Sequence, residues 1–195
     1  MMRKVAVFDF DGTLTQKDAL LEFIRFSCGI GRFLWGFMLF SPILILMKFH
    51  FYPNWKAKEM VFTFFFKGWK YTRFKAKGEE FADVIEKFER NDVLSLMNRH
   101  LEDGDKVYVI SASIEEWVCP WCQRHGVYRV VGTKIEVDEE GIITGRFLSK
   151  NCYGQEKVNR LLAYEPIRED YELYAYGDSR GDWELFDFAD YAVKL

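Results

Sequence analysis

Cysteine is scarce in this chain, and neither sign of charge dominates it. Four cysteines among 195 residues are too few for the disulfide framework of a small secreted domain. The formal net charge of -3 argues against a protein that binds nucleic acid through its overall charge. The first residues also lack the pattern of a secretory signal, because Asp9 and Asp11 interrupt the apolar run after four residues. We therefore expect a reducing, cytoplasmic setting.

The sequence has no charge-free run as long as the roughly 20 residues of a spanning helix. Residues 33–47 (FLWGFMLFSPILILM) come nearest, with fifteen uncharged residues. The simpler interpretation is a buried helical hairpin that bends at Pro42. The alternative is a surface that dips into a bilayer interface at the inner face of the membrane, since cations and aromatic side chains follow. This neighbouring segment contains Lys48, Lys56, Lys58, Lys67, Lys70, Arg73, Trp55, Trp69 and Tyr71.

Short apolar runs alternate with helical segments along the rest of the chain. Strands are predicted at residues 4–10, 106–110, 128–131, 172–176 and 191–194, and a hairpin at 134–147 with Gly141 in its turn. Helices are predicted between most of them, including residues 156–164 and 182–189. This alternation is typical of an α/β fold, a three-layer doubly wound parallel sheet.

Close to a hundred residues separate the first two predicted strands. A parallel crossover needs only about a dozen residues, so the excess predicts an inserted helical cap. We place the cap at residues 15–89, and the catalytic core at residues 1–14 and 90–195. The cap leaves the core directly after Asp9 and Asp11. It would therefore cover the carboxyl ends of the strands, where ligands bind in such sheets.

Asp9 and Asp11 end the first strand in the sequence DFDGT. Residues two apart on a strand share a face, so the two carboxylates can divide the work. One would be a nucleophile and metal ligand, and the other a general acid and base. Gly12 allows a sharp turn and leaves backbone amides open to an anion such as phosphate.

Polar residues follow later strands at the same predicted edge of the sheet. Ser111 ends the second strand, Lys157 lies in the first turn of a helix, and Asp178 and Asp182 follow the strand ELYAY. Carboxylates in this number suit a hard cation such as Mg²⁺, and a cation at a helix N-terminus suits an anion. Ser113, by contrast, is interpreted as a structural capping box with Glu116.

In its order of motifs the chain resembles the haloacid dehalogenase-like hydrolases, in particular the phosphoserine-phosphatase-like branch. The resemblance covers the whole chain, from DFDGT through Ser111 and Lys157 to GDSRGD. It implies a Mg²⁺-dependent phosphomonoester hydrolase in which Asp9 forms a phosphoaspartyl intermediate. Asp11 would protonate the leaving group and then activate water.

The resemblance also assigns the remaining residues of the site. Ser111 and Lys157 would bind the phosphoryl oxygens. Mg²⁺ would be held by Asp9, by the backbone carbonyl of Asp11 and by Asp178, with Asp182 as a supporting carboxylate.

The predicted cap is expected to select the substrate. Phosphoserine phosphatases carry a Glu after the first motif, and this chain has Asp18 at that spacing. The apolar stretch with its basic neighbour is more similar to bacterial phosphatidylglycerophosphatase-type relatives. We therefore expect a lipid phosphate such as phosphatidylglycerophosphate, with a soluble phosphomonoester such as phosphoserine as the alternative.

Two other functions fit parts of the sequence. Cys119-Pro-Trp-Cys122 is similar to the motif of thiol–disulfide oxidoreductases, but it lies late in a predicted helix rather than directly after a strand. A non-catalytic module that binds a membrane or a protein through the cap is the second alternative. The complete set of carboxylates argues against it.

Overall fold

A parallel sheet of five strands organises the molecule. The computed structural model describes residues 2–49 and 51–195, apart from the side chain of Lys48. The strand order is β3-β2-β1-β6-β7, and each neighbouring pair is parallel. These strands are β1 (Arg3–Phe8), β2 (Lys106–Ile114), β3 (Arg129–Thr133), β6 (Tyr171–Gly177) and β7 (Tyr191–Lys194), and an antiparallel hairpin consists of β4 (Ile135–Val137) and β5 (Ile143–Phe147).

The described part of the chain contains eight α-helices. They are α1 (Ala19–Cys28), α2 (Ile30–Lys48), α3 (Asn54–Phe66), α4 (Tyr71–Ile85), α5 (Asn91–Glu102), α6 (Glu115–Arg124), α7 (Gln155–Leu162) and α8 (Trp183–Phe188). Every strand predicted from the sequence has a counterpart here, and so does the hairpin. β2 continues to Ile114, past its predicted end at Ile110.

The central strand β1 is buried on both faces, which is the mark of a three-layer arrangement. Val5 and Val7 point to one apolar cluster, and Ala6 and Phe8 point to the other. All four are fully buried. The predicted α/β class, with a parallel sheet between helical layers, is confirmed.

Helices α1 to α4 lie between β1 and α5. The chain leaves and returns through neighbouring backbone segments, since Gln16 N donates to Phe88 O at 2.8 Å and Arg90 N donates to Leu14 O at 2.9 Å. This geometry supports the proposed boundaries at residues 14 and 90, which stay a prediction. Part of the aromatic content of this region forms core, and its fully buried rings include Phe23, Phe62, Phe66, Phe74 and Phe81.

The β4–β5 hairpin packs against α3 and the segment that follows it. Thr63 Oγ1 donates to Gly145 O at 2.7 Å, and Phe147 N donates to the Glu59 carboxylate at 2.8 Å. Gly68 N donates to Ile143 O at 2.9 Å. The hairpin therefore ties the helices between β1 and α5 to the part of the chain that carries the parallel sheet.

The predicted buried hairpin bent at Pro42 is wrong. Residues 30–48 form one helix, α2, which continues through Pro42. Pro42 removes the N–H that would bond the carbonyl of Met38, but Ser41 Oγ donates to that carbonyl at 2.8 Å instead. Most of the helix is not buried either, because Leu34, Trp35 and the residues that follow them are largely exposed.

Candidate active site

Asp9 lies at the carboxyl end of β1, in the middle of the sheet. Its backbone N–H donates to Tyr176 O at 3.0 Å, which prolongs the pairing with β6. Its Oδ1 accepts from Phe10 N at 2.7 Å, and its Oδ2 lies 3.0 Å from Lys157 Nζ. The carboxylate is thus fixed in orientation, with one oxygen beside a cation. It is 8% exposed and lines a cavity of about 170 Å³, which we call the catalytic cavity.

Lys157 is a buried cation held by two carboxylates. It lies in the first turn of α7, as predicted, and is only 2% exposed. Its Nζ is 2.5 Å from Asp182 Oδ1 in addition to its contact with Asp9. Burial alone would lower the pKa of Lys157, but Asp9 and Asp182 raise it above its ordinary value. The side chain therefore carries a fixed positive charge beside the Asp9 carboxylate.

Asp182 supports this arrangement from a fully buried position. Its second oxygen, Oδ2, accepts from Ser179 N at 3.0 Å and from Ser179 Oγ at 2.9 Å. Both oxygens of Asp182 are therefore occupied by protein donors. The side chain holds Lys157 and the loop after β6 in place.

Asp178 completes a group of carboxylates that fits a divalent cation. Oxygen atoms of Asp9, Asp178 and Asp182 lie within 4.8 Å of one another. Asp178 Oδ1 is buried and has no hydrogen-bond partner among the described residues. Burial, together with Asp9 and Asp182, raises the pKa of Asp178 above its ordinary value. A hard cation such as Mg²⁺ would relieve this repulsion and satisfy the buried oxygen, so the donor set fits the metal.

Gly12 permits the close approach of Asp178. Its φ is 78°, in the left-handed region, and a Cβ at this position would lie 2.2 Å from Asp178 Oδ2. A side chain at position 12 would therefore displace the carboxylate. The donation of nearby amides to a phosphate stays a prediction.

Asp11 is turned away from this carboxylate group. Its Oδ1 accepts from Ala19 N at 2.7 Å, and its Oδ2 accepts from Ser113 Oγ at 2.5 Å. Burial, and after it the nearby Asp18 carboxylate, raises the pKa of Asp11 to about 7. A carboxyl group with this pKa can hold a proton and release it near neutral pH, which a general acid and base requires.

The interpretation of Ser113 as part of a capping box is wrong. Helix α6 begins at Glu115 after Ile114, without a side-chain cap, because β2 extends through Ser113. The strand directs the Ser113 hydroxyl to Asp11 instead. The spacing of the serines indicates this contact. Ser111 and Ser113 are two residues apart on a strand and so share a face, as Asp9 and Asp11 do at the end of the neighbouring strand.

Ser111 lies where the sequence predicted it, in the wall of the catalytic cavity. Its side chain is 2% exposed, and its Oγ accepts from Ser113 N at 3.2 Å. The hydroxyl proton remains available to an oxygen in the cavity. Ser111 therefore faces the space in which Asp9 and Lys157 also lie.

Two residues of α3 also line the catalytic cavity, and the sequence did not identify them as site residues. They are Asn54 and Lys58. The charge of Lys58 acts on Asp11, whose pKa it lowers against the larger effect of burial. The sequence placed Lys58 only within a basic segment, because nothing in that segment fixes which side chains turn inward.

Asp18, the candidate for substrate recognition, is the N-cap of α1. Its Oδ1 accepts from Leu21 N at 3.1 Å, which satisfies one of the free amides at the helix start. It also borders a second cavity, between α1, α2 and α3. Contact of Asp18 with a substrate stays a prediction.

The cysteines of the CPWC motif lack the environment of a redox site. Cys119 lies in the middle of α6 and Cys122 near its end, so neither directly follows a strand, and both are free thiols. Burial, with Glu115 and Glu116, raises the pKa of Cys119 to about 11. Burial also raises the pKa of Cys122. Reactive cysteines need a lowered pKa, so the geometry disfavours thiol–disulfide exchange.

Comparison with known sequences identifies the family. A family model described as haloacid dehalogenase-like hydrolase matches residues 6–187. Protein CicA of Caulobacter vibrioides is 31% identical over 188 residues, which cover 95% of this chain and 83% of that protein. A histidinol-phosphatase of Neisseria meningitidis is 28% identical over 89 residues, covering 43% of this chain and 40% of that protein.

Solved structures share the fold. A protein of unknown function from Bordetella pertussis Tohama I matches with a TM-score of 0.86 and 23% identity, covering 100% of this chain and 90% of that one. A phosphoserine phosphatase, solved as an analogue of its phospho-aspartyl intermediate, matches with a TM-score of 0.67 and 16% identity, covering 100% and 87%. The similarity to phosphatidylglycerophosphatase-type relatives gains no support from these matches.

Proposed function

Since this chain belongs to the haloacid dehalogenase-like hydrolases, we propose that it is a Mg²⁺-dependent phosphomonoester hydrolase that works through a phosphoaspartyl intermediate on Asp9. One observation carries the proposal. The Asp9 carboxylate faces the catalytic cavity, with a buried lysine ammonium at 3.0 Å and two further carboxylates close by. An anionic nucleophile needs such surroundings to approach an anionic phosphate.

The reaction would proceed in two displacements. In the first, an Asp9 oxygen attacks phosphorus, and the bond from phosphorus to the ester oxygen breaks while Asp11 gives that oxygen its proton. In the second, Asp11 takes a proton from water, whose oxygen attacks phosphorus. The bond to Asp9 then breaks and inorganic phosphate leaves. The raised pKa of Asp11, about 7, suits both proton transfers.

The remaining groups neutralise and position the phosphoryl oxygens. Lys157 supplies a fixed charge, and Ser111 supplies a hydroxyl donor in the same cavity. Gly12 leaves room for the carboxylates and places backbone amides at the turn. Mg²⁺ would be held by Asp9, by Asp178 and by the Asp11 carbonyl, with Asp182 in support. When bound it would neutralise charge that develops on the phosphoryl group.

The proposal is tested by phosphate release from an aryl phosphate, with and without Mg²⁺. Asp9→Asn should abolish turnover, because an amide is a poor nucleophile. Asp187→Asn, an exposed carboxylate on α8, should leave it unchanged and serves as the matched control. Wild-type activity in Asp9→Asn would contradict the proposal. Absence of turnover by the wild type on aryl, soluble and lipid phosphates would favour a non-catalytic binding module.

Two substrate classes are proposed for this site, and lipid phosphates are the preferred one. A lipid phosphate such as phosphatidylglycerophosphate is favoured by the exposed apolar helix α2 and by the apolar cavity beneath it. A soluble phosphomonoester such as phosphoserine is favoured by the fold shared with phosphoserine phosphatases. Comparison of kcat/KM for lysophosphatidate, phosphatidylglycerophosphate and phosphoserine separates the two classes.

Peripheral contact with the inner face of the membrane is proposed for the outer side of α2. Among the described residues, α2 is the one helix whose length and composition would suffice to cross a membrane. Only 6% of its segment Ile30–Met47 is buried inside the protein. Its packing on α3 indicates a helix that lies along a surface, because a Cβ on Gly36 would lie 2.3 Å from the Phe65 ring. Contact at an interface fits this geometry better than insertion across a bilayer.

A further inference from the structure

An apolar cavity of about 430 Å³ lies between α1, α2 and α3. Its wall is made mostly of hydrocarbon and aromatic side chains, including Leu21, Ile24, Phe40, Leu44, Val61 and Phe65. The volume falls within the range of small-molecule binding pockets, roughly 300–1,000 Å³.

The apolar cavity adjoins the catalytic cavity. Asn54 and Lys58, at the start of α3, line both spaces. The catalytic cavity, at about 170 Å³, leaves little room beyond a phosphoryl group and its ester oxygen. Past Asn54 and Lys58, the rest of a larger substrate can extend into the apolar cavity, since both residues line both spaces. In that direction it meets apolar side chains.

We propose that the apolar cavity binds the hydrocarbon chain of a phosphomonoester whose phosphate lies at Asp9. This inference rests on the proposed function and names the substrate class as an amphiphile with a single chain in the cavity. Lys58 lies at the junction, where the polar head of such a molecule meets its chain. A cation at this point suits the anionic head, and the exclusion of water from the wall favours the chain.

Binding of alkyl phosphonates of two to twelve carbons tests the inference. Phosphonates are not hydrolysed, so calorimetric titration with Mg²⁺ present reports binding whether or not the protein turns over an ester. The dissociation constant should fall about fourfold for each added methylene until the cavity is filled. Each compound is titrated below its micellar concentration. A dissociation constant that is independent of chain length would overturn the inference.

Substitutions locate the site of the chain. Leu44→Trp narrows the cavity, and Val61→Phe is a second variant in case the first does not fold. Each should reduce the ratio of dodecyl to ethyl phosphonate affinity at least tenfold. Leu39→Trp is the matched control, because Leu39 lies on the same helix outside the cavity wall and is 53% exposed. Chain-length dependence that persists unchanged in folded Leu44→Trp and Val61→Phe would place the chain elsewhere and overturn the inference.

Failure of this inference is distinguishable from failure of the proposed function. If aryl phosphate turnover depends on Asp9 but the affinity for alkyl phosphonates does not change with chain length, the inference fails and the proposed function stands. If the phosphonate affinity rises with chain length but no ester is hydrolysed, the hydrolase proposal fails and the apolar cavity is a binding site for amphiphiles.

Discussion

The Ser113 hydroxyl is a positioning group for Asp11. Its hydrogen bond of 2.5 Å is one of two that fix the Asp11 carboxylate. Ser113→Ala should therefore lower kcat on an aryl phosphate about tenfold, a part of the contribution that a general acid makes. KM should change little, because Ser113 is not expected to touch the phosphate. Steady-state kinetics over a range of pH measure both quantities.

Two controls distinguish this role from a general loss of structure. Ser113→Thr retains a hydroxyl and should recover most of the lost kcat. Ser95→Ala removes an exposed helical serine whose hydroxyl donates to the Asn91 carbonyl at 2.8 Å, and it should leave kcat unchanged. Equal kcat in Ser113→Ala and the wild type would show that Asp11 needs no such support.

Glu165 contacts three strand residues near the amino ends of β1 and β2, at the opposite end of the strands from Asp9. Its carboxylate accepts from Tyr108 Oη at 2.5 Å and lies within 2.9 Å of Lys106 and 2.7 Å of Arg3. Burial opposes ionisation, but these donors lower the pKa of Glu165 below its ordinary value. Its stabilising contribution is therefore present above the unfolded pKa of about 4.3 and is lost as the pH falls below it.

Glu165→Gln should reduce the free energy of unfolding by about 1.5–3 kcal/mol at pH 7. The difference from the wild type should shrink as the pH is lowered below about 4.3. Urea denaturation at several pH values measures it, with Glu169→Gln, an exposed neighbour, as the control. A difference that stays constant with pH would contradict an ionic role for Glu165.

Residues at the ends of strands could be predicted from the sequence, and residues brought in by the cap could not. Asp9, Ser111 and Asp178 follow apolar runs that the sequence displays directly, and the structure gathers them at one edge of the sheet. The inward turn of Lys58 depends on how α3 packs on α1 and α2. No local pattern determines that packing.

At the scale of elements, α2 shows how a proline can mislead. Pro42 predicted a bend, because it cannot donate to the carbonyl four residues earlier. The serine before it supplies the missing donor at 2.8 Å, and the helix continues. The burial of this helix was also mispredicted, because apolar composition alone cannot distinguish a core helix from an exposed one.

The docking of the β4–β5 hairpin depends on Gly145. A Cβ at this position would lie 2.9 Å from Thr63 Cγ2 and Oγ1, and the φ of 94° already disfavours a side chain. Gly145→Ala should therefore destabilise the protein by about 2–4 kcal/mol, the sum of backbone strain and steric overlap. Thermal unfolding followed by circular dichroism measures the loss.

Gly141→Ala separates the two causes. Gly141 lies in the same hairpin with a φ of 76°, but no described atom lies within 4 Å of its added Cβ. Its substitution should cost only the backbone strain, about 1–2 kcal/mol. Equal losses in the two variants would show that the contact with Thr63 contributes nothing.

For the whole molecule, the sequence sufficed to predict the fold class and the enzyme class. The alternation of strands and helices predicted the parallel sheet, and the order of motifs from Asp9 to Asp182 predicted a phosphatase of the haloacid dehalogenase-like family. The fold and the family match confirm both. Substrate choice was less accessible, because it depends on cavities formed between helices that are far apart in the sequence.

The charge distribution of the molecule favours an anionic membrane as the partner of α2. Apart from Lys58, which lines the catalytic cavity, the segment between Glu22 and Glu59 contains four lysines and arginines and no acid, although the chain as a whole has a net charge of -3. The same segment exposes Leu34 at 59%, Trp35 at 58% and Met38 at 60%. Apolar groups that enter the interface and cations that meet anionic headgroups would act together.

Vesicle sedimentation tests this contact. The wild type should bind vesicles that contain phosphatidylglycerol more tightly than vesicles of phosphatidylcholine alone, and added salt should weaken the binding by screening. Leu34→Glu should weaken it about tenfold or more, because an apolar contact is replaced by a like charge. Leu148→Glu, at a similarly exposed leucine in the loop after β5 (66%), should have a much smaller effect. If Leu34→Glu instead dissociates a dimer in sedimentation velocity, the exposed side of α2 is covered by a second copy of this chain and the membrane proposal fails.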